Sequence, residues 1–462
     1  MADLILTHGY FLCEDEKEQG IMKPYAPLGL MYLSSYLKSL HIDVELFDTT
    51  FSDRASLYQR LQLAPGGILG IYTNLITRSS IVRIMQAAKA CGYTIILGGP
   101  ESANYPEKYM QHGADFVVIG EGEQALAELL PAIRNGNPAK FHTIPGILFR
   151  DSNGTIIRTP PRAALRNISA YPWPDRDSID IGQYQSVWTR HHGYNSVSMI
   201  TARGCPYRCS WCSHAVFGYD HRRRPPADCA EELAHILGRF QPDQIWYADD
   251  VFTISHPWIF DYARELHGRG IHIPFETISR ADRLMKPEVL DTLAGMGCAR
   301  IWIGSESGSQ RILDAMQRDV TVEQVKWATH EARARGIKVG MFLMWGYGEE
   351  TLEDIEKTVR HVKECRPDLF FTTVAYPIKG TPFFDAYADH ISLPGQWENS
   401  TDRNYKLDIQ RTPEYYQAAD TLLYNEVEAE LASGHDEEQA RRCRERAENA
   451  RRYLREQERR NV

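Results

Sequence analysis

The chain has 462 residues, of which 43% are hydrophobic and 24% charged, and it carries a net charge of −9 at pH 7. A chain of this length is expected to fold as two or three domains, and the composition is typical of a soluble globular protein. The net negative charge argues against a general nucleic-acid binder. The sequence has no uncharged apolar run of about 18 residues, so no transmembrane helix is predicted.

Cysteine usage and the N-terminus predict a cytoplasmic protein. Residues 1–8 include an acidic residue and lack a long apolar core, so they do not resemble a signal peptide. Only three of the nine cysteines lie close together, which favours a reducing compartment over a disulfide framework. The other six are expected to be small buried or half-buried side chains: Cys13, Cys91, Cys229, Cys298, Cys365 and Cys443.

Short apolar runs alternate with amphipathic segments through residues 1–140, which we take as a first domain. The pattern predicts strands at 4–6, 44–47, 68–72, 94–97 and 116–119, and helices near 30–40, 52–63, 78–90, 106–112 and 123–133. This alternation predicts a Rossmann-like, mostly parallel sheet with helices on both faces. Ligands of such sheets bind at the carboxyl ends of the strands, here residues 73–79, 98–102 and 120–123.

The first of these strands does not lead into a dinucleotide-binding turn. It runs into Thr7-His8-Gly9-Tyr10 and not into Gly-x-Gly-x-x-Gly, which argues against a nicotinamide or flavin dinucleotide. Residues 141–195 then form a bridge. Two short apolar runs flank Asp151-Ser-Asn-Gly154, which predicts a hairpin, and the prolines at 160–161 and 172–174 predict an extended linker.

Residues 196–384 are predicted to be a second α/β domain. Six apolar runs, each followed by a helical segment, predict strands at 198–202, 244–248, 273–278, 300–304, 338–343 and 371–375. Six parallel strands with helices outside suggest a partial (β/α)6 barrel. Chemistry in such barrels is located at the carboxyl ends of the strands, and a cysteine-rich loop follows the first strand.

That loop contains Cys205, Cys209 and Cys212 in the spacing Cys-x3-Cys-x2-Cys. Three thiolates on one short loop can hold three irons of a [4Fe–4S] cluster and leave the fourth iron open. Structural zinc is the rival metal, but it prefers four ligands, and His214 is too close to Cys212 to serve easily as the fourth. A chance grouping of inert cysteines is the remaining alternative.

The cysteine spacing, with Trp211 before the third cysteine, resembles the signature of radical S-adenosylmethionine enzymes. The resemblance is specific over residues 196–384 and weaker over residues 1–130. It implies that the cofactor's amino and carboxylate groups bind the open iron, and that one electron cleaves the cofactor to methionine and a 5′-deoxyadenosyl radical. It also implies an electron donor such as flavodoxin or ferredoxin.

The resemblance extends to the ends of the predicted strands and implies which residues contact S-adenosylmethionine. In several cases a structural role is the alternative: Asp249 or Asp250 could cap the next helix, and Arg280 could be a solvated surface residue. The motif at 340–351, which resembles the adenine-packing strand, ends in Thr351, which also suits a helix cap. The implied contacts are Tyr207, Trp211, Asp249, Asp250, Ser279, Arg280, Glu306, Phe342 and Tyr376.

The first domain resembles the cobalamin-binding domain that precedes many of these enzymes. Glycines at the strand ends would let a bulky cofactor approach the backbone; the alternative is that they only turn strand into helix. The implied contacts are Pro27, Leu28, Gly29, Thr73, Asn74, Leu75, Thr77, Gly98, Gly99, Pro100, Glu101, Gly120, Glu121, Gly122 and Glu123.

The sequence departs from many cobalamin folds in one respect. It has no Asp-x-His-x-x-Gly loop, and neither His8 nor His112 fits that pattern. The resemblance therefore implies cobalamin bound with its own base displaced and without a histidine on cobalt. An inherited domain that has lost cobalamin is the alternative.

Residues 385–462 are predicted to form a helical C-terminal region. Its aromatic residues, including Trp397, Tyr405, Tyr415 and Tyr416, are expected to pack in a core rather than to cover a substrate. Residues 436–460 are dense in Glu and Arg with pairs at i,i+4, which favours a solvated helix over a partner or membrane-surface helix.

The resemblance as a whole implies a cobalamin-dependent radical enzyme that methylates an unactivated carbon through methylcobalamin. Radical oxidation, cyclisation or rearrangement without methyl transfer is the first alternative. A non-catalytic corrinoid-sensing module is the second, although sensing needs no cluster. A small molecule, lipid, tetrapyrrole or peptide substrate would be compatible with the sequence.

Overall fold

The computed structural model describes residues 2–460, and its first sheet has seven strands in the order β2-β1-β3-β4-β5-β6-β7. The first five strands are parallel, and a hairpin of two further strands extends the sheet in antiparallel fashion. The strands are β1 (Leu4–His8), β2 (Val44–Phe47), β3 (Ile68–Tyr72), β4 (Thr94–Gly98), β5 (Phe116–Val118), β6 (Ile147–Arg150) and β7 (Ile156–Arg158). The predicted hairpin of the bridge is therefore part of the first sheet.

Helices cover both faces of this sheet, as the alternating pattern predicts. Leu4 and Leu6 pack with the leucines of α2 and α7 on one face, while Ile5 and Ile71 pack with α3 and α4 on the other. The helices are α1 (Glu16–Ile21), α2 (Leu28–Ser39), α3 (Arg54–Leu63), α4 (Arg78–Ala90), α5 (Pro100–Asn104), α6 (Pro106–Gln111), α7 (Glu123–Arg134) and α8 (Pro138–Phe141).

The linker contains a helix that the sequence analysis missed, α9 (Ile181–His192). Asp180 caps its first turn by accepting from the Gln183 amide at 3.0 Å, and Gly193 ends it in the left-handed conformation. The buried Trp188 fixes the helix, because its indole donates to the Pro24 carbonyl at 2.7 Å. The bridge is therefore docked and not simply extended.

The second sheet has six parallel strands in sequence order, from β8 at one edge to β15 at the other. These edges are not paired with each other, so the sheet is an open, partial barrel, as predicted. Its strands are β8 (Ser196–Met199), β11 (Gln244–Tyr247), β12 (Phe275–Ser279), β13 (Cys298–Glu306), β14 (Lys338–Trp345) and β15 (Leu369–Val374). The first strand ends earlier than expected, because β9 (Ala202–Arg203) pairs with β10 (Arg222–Arg223) in a separate ladder.

Six helices follow the strands of this barrel and bury its outer face. They are α10 (Pro226–Phe240), α11 (His256–Gly268), α12 (Pro287–Met296), α13 (Gln310–Ala315), α14 (Val322–Ala334) and α15 (Leu352–Cys365). Ile301, Ile303, Val339 and Met341 from the central strands belong to the same buried core as α12 and α14. Every second residue of these strands therefore points away from the barrel interior.

The C-terminal region packs on both preceding domains. It comprises α16 (Pro382–Ala386), the short strands β16 (Ile391–Ser392) and β17 (Lys406–Leu407), α17 (Pro413–Ala432) and α18 (Glu437–Arg460). The last helix, α18, is mostly exposed, and one narrow face of it is buried on α17 through Ala447, Ala450 and Leu454. Among residues 2–460, no helix is both long and apolar enough to span a membrane.

Candidate cofactor site

The carboxyl ends of both sheets open onto one cavity of about 750 Å³, which we call the cofactor cavity. The barrel contributes the cysteine loop and the ends of its strands, and the first sheet contributes its glycine turns. Many residues implied by the sequence meet here. They are Cys205, Cys209, Cys212, Tyr207, Trp211, Asp250, Ser279, Arg280, Glu306 and Phe342 from the barrel, and Pro27, Leu28, Gly29, Gly98, Gly99, Pro100, Gly120, Glu121, Gly122 and Glu123 from the first sheet.

The cysteine loop, residues 204–221, is closed at its base by the β9–β10 ladder, in which Arg203 pairs with Arg222. Gly204 has a φ of +80°, and a Cβ there would lie 2.1 Å from the Asp220 carbonyl oxygen. Only glycine fits this close approach without moving the backbone. The base of the loop is thus narrow, and its three cysteines lie beyond it, along the cavity wall.

Burial disfavours the thiolate form of two cysteines in this loop, Cys205 and Cys212. It raises the pKa of Cys205 and raises the pKa of Cys212 to about 12, in the latter case with help from the charges of Cys209 and Cys205. Only a positive charge placed among the sulfurs would favour three thiolates together. Among residues 2–460, no three cysteine, histidine or acidic side chains converge closely enough to hold a single metal ion.

Two buried arginines face the sulfur of Cys209. The guanidinium of Arg280 lies 3.9 Å from this Sγ, and that of Arg318 lies 3.7 Å from it. Arg280 is held over the ring of Tyr207 at 3.6 Å and donates to the Arg318 carbonyl. Arg280 is therefore buried in the site and is not a solvated surface residue. Sequence reasoning missed Arg318, which lies in the loop after α13.

Glu306 enters the cavity through a local distortion of β13. The pairing of β13 with β14 shifts between Gly304 and Glu306, and Glu306 has a φ of +59°, a conformation that non-glycine residues seldom adopt. Burial raises the pKa of its carboxyl, and Arg318 at 3.9 Å partly opposes that effect. Burial and the neighbouring Asp249 likewise raise the pKa of Asp250. The cavity wall thus carries two carboxyl groups beside the cysteines.

Two of the implied contacts to S-adenosylmethionine lie outside the cavity. Asp249 is buried and accepts from the backbone amides of Thr201 and Ala202 at 2.6 and 3.1 Å, and it pairs with Arg223 at 3.0 Å. It therefore holds the entry to the cysteine loop. Tyr376 is half-buried, with the guanidinium of Arg403 over its ring at 5.7 Å.

Glycine turns at the carboxyl ends of the first sheet form one side of the cavity, and we call this surface, made by Gly98, Gly99 and Gly120, the cradle. In the described part of the chain, no atom lies within 4 Å of where a Cβ on Gly98 would stand, so the space beside this glycine is free. Gly99 has a φ of +103°, and a Cβ there would lie 2.4 Å from the Thr73 carbonyl oxygen. Gly120 also has a positive φ and faces the Val216 carbonyl just beyond the cysteines. The cradle is thus lined by backbone that carries no Cβ atoms at these positions, and it leaves space for a ligand beside Gly98.

The other implied cobalamin contacts do not line the cavity. The Thr73 hydroxyl bonds the Gly98 carbonyl, and Thr77 closes a turn onto Asn74. Glu101 is buried in an ion pair with Arg78, which also binds Asp402 from the C-terminal region at 2.5 Å. Thr73 thus binds the backbone of the cradle, and Arg78 joins the first domain to the C-terminal region. Leu75, in the turn between Asn74 and Thr77, also lies outside the cavity.

A buried ion network ties the first domain to the base of the cysteine loop. Arg203 donates to Glu121 and to Glu123, in both cases at 2.6 Å, and Arg222 donates to Glu121 at 2.7 Å. The side chains of these four residues are less than a tenth exposed. Glu121 and Glu123 thus line the cavity while their carboxylates are engaged by the loop, a pairing that no local sequence pattern discloses.

One histidine lines the cavity, and it belongs to the barrel. His214 bonds the Gly218 carbonyl through Nδ1, and its buried Nε2 finds no hydrogen-bond partner among residues 2–460. In the first domain, His8 is bound by Asp48 and Thr49 at 2.9 and 3.0 Å, and His112 bonds the Lys108 carbonyl of its own helix. Neither His8 nor His112 lines the cavity.

Two family models match the chain. The model described as the Radical SAM superfamily matches residues 199–362, from the end of β8 to near the end of α15. The model described as the B12 binding domain matches residues 22–130, from before α2 into α7. The two matches together take in both sets of strand ends that open onto the cofactor cavity.

Similar proteins include methyltransferases and a cyclase. An uncharacterised methyltransferase of Pyrococcus horikoshii is 28% identical over 81% of each chain. The anaerobic magnesium-protoporphyrin IX monomethyl ester cyclase of Rubrivivax gelatinosus is 24% identical over 80% of this chain and 67% of its own. In fold, the chain is similar to the radical S-adenosylmethionine methyltransferase TsrM of Kitasatospora setae, solved with cobalamin and a [4Fe–4S] cluster. That likeness has a TM-score of 0.70 at 19% identity and covers 84% of this chain and 75% of the other.

Proposed function

We infer that this chain, which belongs to the radical S-adenosylmethionine superfamily and carries a B12-binding domain before its barrel, is an enzyme that methylates an unactivated carbon with the aid of cobalamin. The observation that carries this inference is the shared cavity, onto which the three cysteines and the glycine cradle both open. A methyl carrier on the cradle and a radical source at the cysteines would then lie on either side of one substrate.

We assign the cluster to Cys205, Cys209 and Cys212. A [4Fe–4S] cluster held by three thiolates supplies an open iron and one electron for the cleavage of S-adenosylmethionine. The chain's own contribution at the cluster is positive charge, because the guanidinium groups of Arg280 and Arg318 both approach the sulfur of Cys209.

The residues around the cysteines suit the polar groups of S-adenosylmethionine. The carboxyl groups of Asp250 and Glu306 would attract its ammonium, and the guanidinium of Arg280 would attract its carboxylate. Phe342 offers the adenine an apolar ring. Tyr207 would act by positioning Arg280, because the two side chains are stacked.

The cradle suits cobalamin, which supplies a cobalt centre that carries a methyl group. Gly98, Gly99 and Gly120 would leave room for the flat ring system. We propose that the cofactor binds with its own base displaced and with no histidine on cobalt, since His8 is engaged by Asp48 and does not line the cavity. Electron paramagnetic resonance of the cob(II)alamin form tests this detail, because an axial nitrogen would split the signal and would direct attention to His214.

Radical cyclisation without methyl transfer is the second candidate, and the 24% identity to the magnesium-protoporphyrin cyclase favours it. The same site would serve, with an electron donor such as flavodoxin or ferredoxin in both cases. A corrinoid sensor would have no use for three cysteines gathered beside the cradle, so the geometry favours an enzyme.

The test is anaerobic reconstitution with iron, sulfide and cobalamin, followed by incubation with cell extract and S-adenosylmethionine labelled in its methyl group. The proposal expects a labelled small molecule that is absent when the Cys209→Ala variant replaces the enzyme. A product that forms only with the intact enzyme but carries no label would support cyclisation or oxidation instead.

A further inference from the structure

The inner face of the barrel sheet carries three aromatic side chains near its open edge. Trp302 on β13, Phe342 on β14 and Phe371 on β15 alternate with residues that pack outward against helices, such as Ile303, Met341 and Phe370. Because side chains alternate along a strand, the three rings lie on the side that faces the barrel interior. Phe342 also lines the cofactor cavity, so this face is continuous with the site.

The three rings are nearly parallel, and we call them the aromatic platform. Trp302 lies 5.2 Å from Phe342 with an angle of 17° between the planes, and 5.5 Å from Phe371 with an angle of 11°. Phe342 and Phe371 are register partners on neighbouring strands, 6.5 Å apart with an angle of 25°. Offset parallel rings at these distances attract each other, and the three rings form a stack in which Phe371 is the most exposed.

Packing and a hydrogen bond hold the central ring of the aromatic platform, Trp302, in place. Gly340 leaves room for the Trp302 ring, since a Cβ there would lie 2.2 Å from it. The indole N–H of Trp302 donates to Glu276 at 2.9 Å, and Arg300 pairs with the same carboxylate at 3.0 Å. The orientation of the central ring is therefore set by a hydrogen bond as well as by packing.

The outer end of the platform is exposed although it is apolar. Phe371 is 53% exposed and Leu369 is 41% exposed, and both lie on the inner face of the edge strand β15. Large apolar side chains exposed beside Phe342, which lines the cofactor cavity, form a surface that an apolar ligand would cover. The exposed face of a ring in such a stack suits a flat ligand, because a flat ring system would extend the stack by one more layer.

We propose that the substrate of this enzyme carries a planar conjugated or fused ring, and that this ring binds by stacking on Phe371 at the open edge of the barrel. This proposal rests on the proposed function, because it takes the cofactor cavity as the place of reaction. The substrate class is therefore defined by shape. The proposed substrate is a flat π system that stacks on Phe371 and extends toward Phe342 and the cysteines.

The test measures binding to the reconstituted holoenzyme by anaerobic equilibrium dialysis with two probes. 1-Pyrenebutyrate is a flat fused-ring acid, and deoxycholate is a saturated fused-ring acid of similar size. The variants are Phe371→Ala, Phe371→Leu, which keeps apolar area without a ring, and Leu431→Ala, which removes a 58% exposed side chain on α17. Circular dichroism verifies the fold of each variant.

The proposal expects the flat probe to bind more tightly than the saturated one. Phe371→Ala should raise its Kd about tenfold and Phe371→Leu several-fold, since stacked rings attract each other beyond the effect of the apolar area they bury. Leu431→Ala should bind as the unchanged enzyme does. The proposal is overturned if the flat probe does not bind, if both Phe371 variants retain its full affinity, or if deoxycholate binds equally well with the same dependence on Phe371.

A parallel assay separates this proposal from the function on which it rests. Formation of 5′-deoxyadenosine by the unchanged enzyme reports the radical chemistry and does not depend on the probes. Enzyme that binds the flat probe through Phe371 but never cleaves S-adenosylmethionine would contradict the proposed function alone. Enzyme that cleaves it but binds the probe independently of Phe371 would contradict the platform alone.

Discussion

Cys205, Cys209 and Cys212 lie on one wall of the cofactor cavity, and each is proposed to bind a different iron. Because no thiolate can substitute for another, replacing any one of them with alanine should abolish cleavage of S-adenosylmethionine and most of the bound iron. Iron and sulfide analysis and 5′-deoxyadenosine assays measure both effects. Cys13→Ala, which removes an exposed thiol elsewhere, is the matched control. A triple-alanine variant that still cleaves the cofactor would disprove the assignment.

The charges beside Cys209 are expected to set the reduction potential of the cluster. Arg280 and Arg318 both approach this sulfur, and positive charge favours the reduced, more negative state. Arg318→Gln should therefore shift the midpoint potential to a more negative value, while Arg318→Lys, which keeps the charge, should shift it less. A redox titration followed by paramagnetic resonance, without S-adenosylmethionine, measures the shift. Equal potentials in all three proteins would show that Arg318 serves only to hold the backbone.

At the scale of elements, the β9–β10 ladder and the turn before α7 are expected to act as one unit. Arg203→Leu would leave the carboxylate of Glu123 buried without its partner, so the free energy of unfolding should fall by about 3 kcal/mol. Cluster content should fall as well, although no cysteine is altered. Urea denaturation and iron analysis test this. Arg134→Leu, whose ion pair with Asp3 is more exposed, should cost less than about 1 kcal/mol. Equal effects of the two variants would contradict the account.

The turn after β14 contains a buried acid that should make stability depend on pH. Burial raises the pKa of Glu350 to about 8, while one of its oxygens accepts from the Gly346 amide at 2.6 Å. Between the ordinary pKa of a glutamate and pH 8, the folded state holds a proton that the unfolded state has lost, so stability falls as the pH rises. Glu350→Gln should flatten this decline, as denaturation at pH 6 and pH 9 would measure. If stability falls equally with pH in Glu350→Gln, another titrating group causes the decline.

Apolar periodicity predicts the strands of the two large sheets, because buried parallel strands consist of short apolar runs whatever their neighbours are. It does not predict the two-residue strands β9, β10, β16 and β17. The helix α9 was missed because its exposed face is rich in polar residues, although Asp180 and Gly193 bracket it with cap signals. Asp249 and Asp250 are adjacent in the sequence. Only the folded structure shows that Asp249 binds the backbone at the entry to the cysteine loop, whereas Asp250 lines the cavity. Arg318 and the partners of Glu121 come from distant parts of the chain, so local patterns could not identify them.

At the scale of the whole molecule, two sheets present their carboxyl ends to one cavity, and the C-terminal region joins them. Asp402 accepts from Arg78 and Tyr105 of the first domain, while α17 and α18 pack against α15. The methyl carrier and the radical source are therefore proposed to stand in a fixed relation around the substrate. In such an enzyme, binding and exclusion of water are the main contributions of the protein.

The central claim, methylation by two cofactors in one cavity, is tested most directly by the by-products of turnover. Transfer of a methyl group consumes one S-adenosylmethionine to S-adenosylhomocysteine, and formation of the radical consumes another to 5′-deoxyadenosine. With the true substrate, the account predicts that both by-products appear in comparable amounts and that the product gains the mass of one methyl group. Formation of 5′-deoxyadenosine without S-adenosylhomocysteine, together with a product that has gained no carbon, would contradict it.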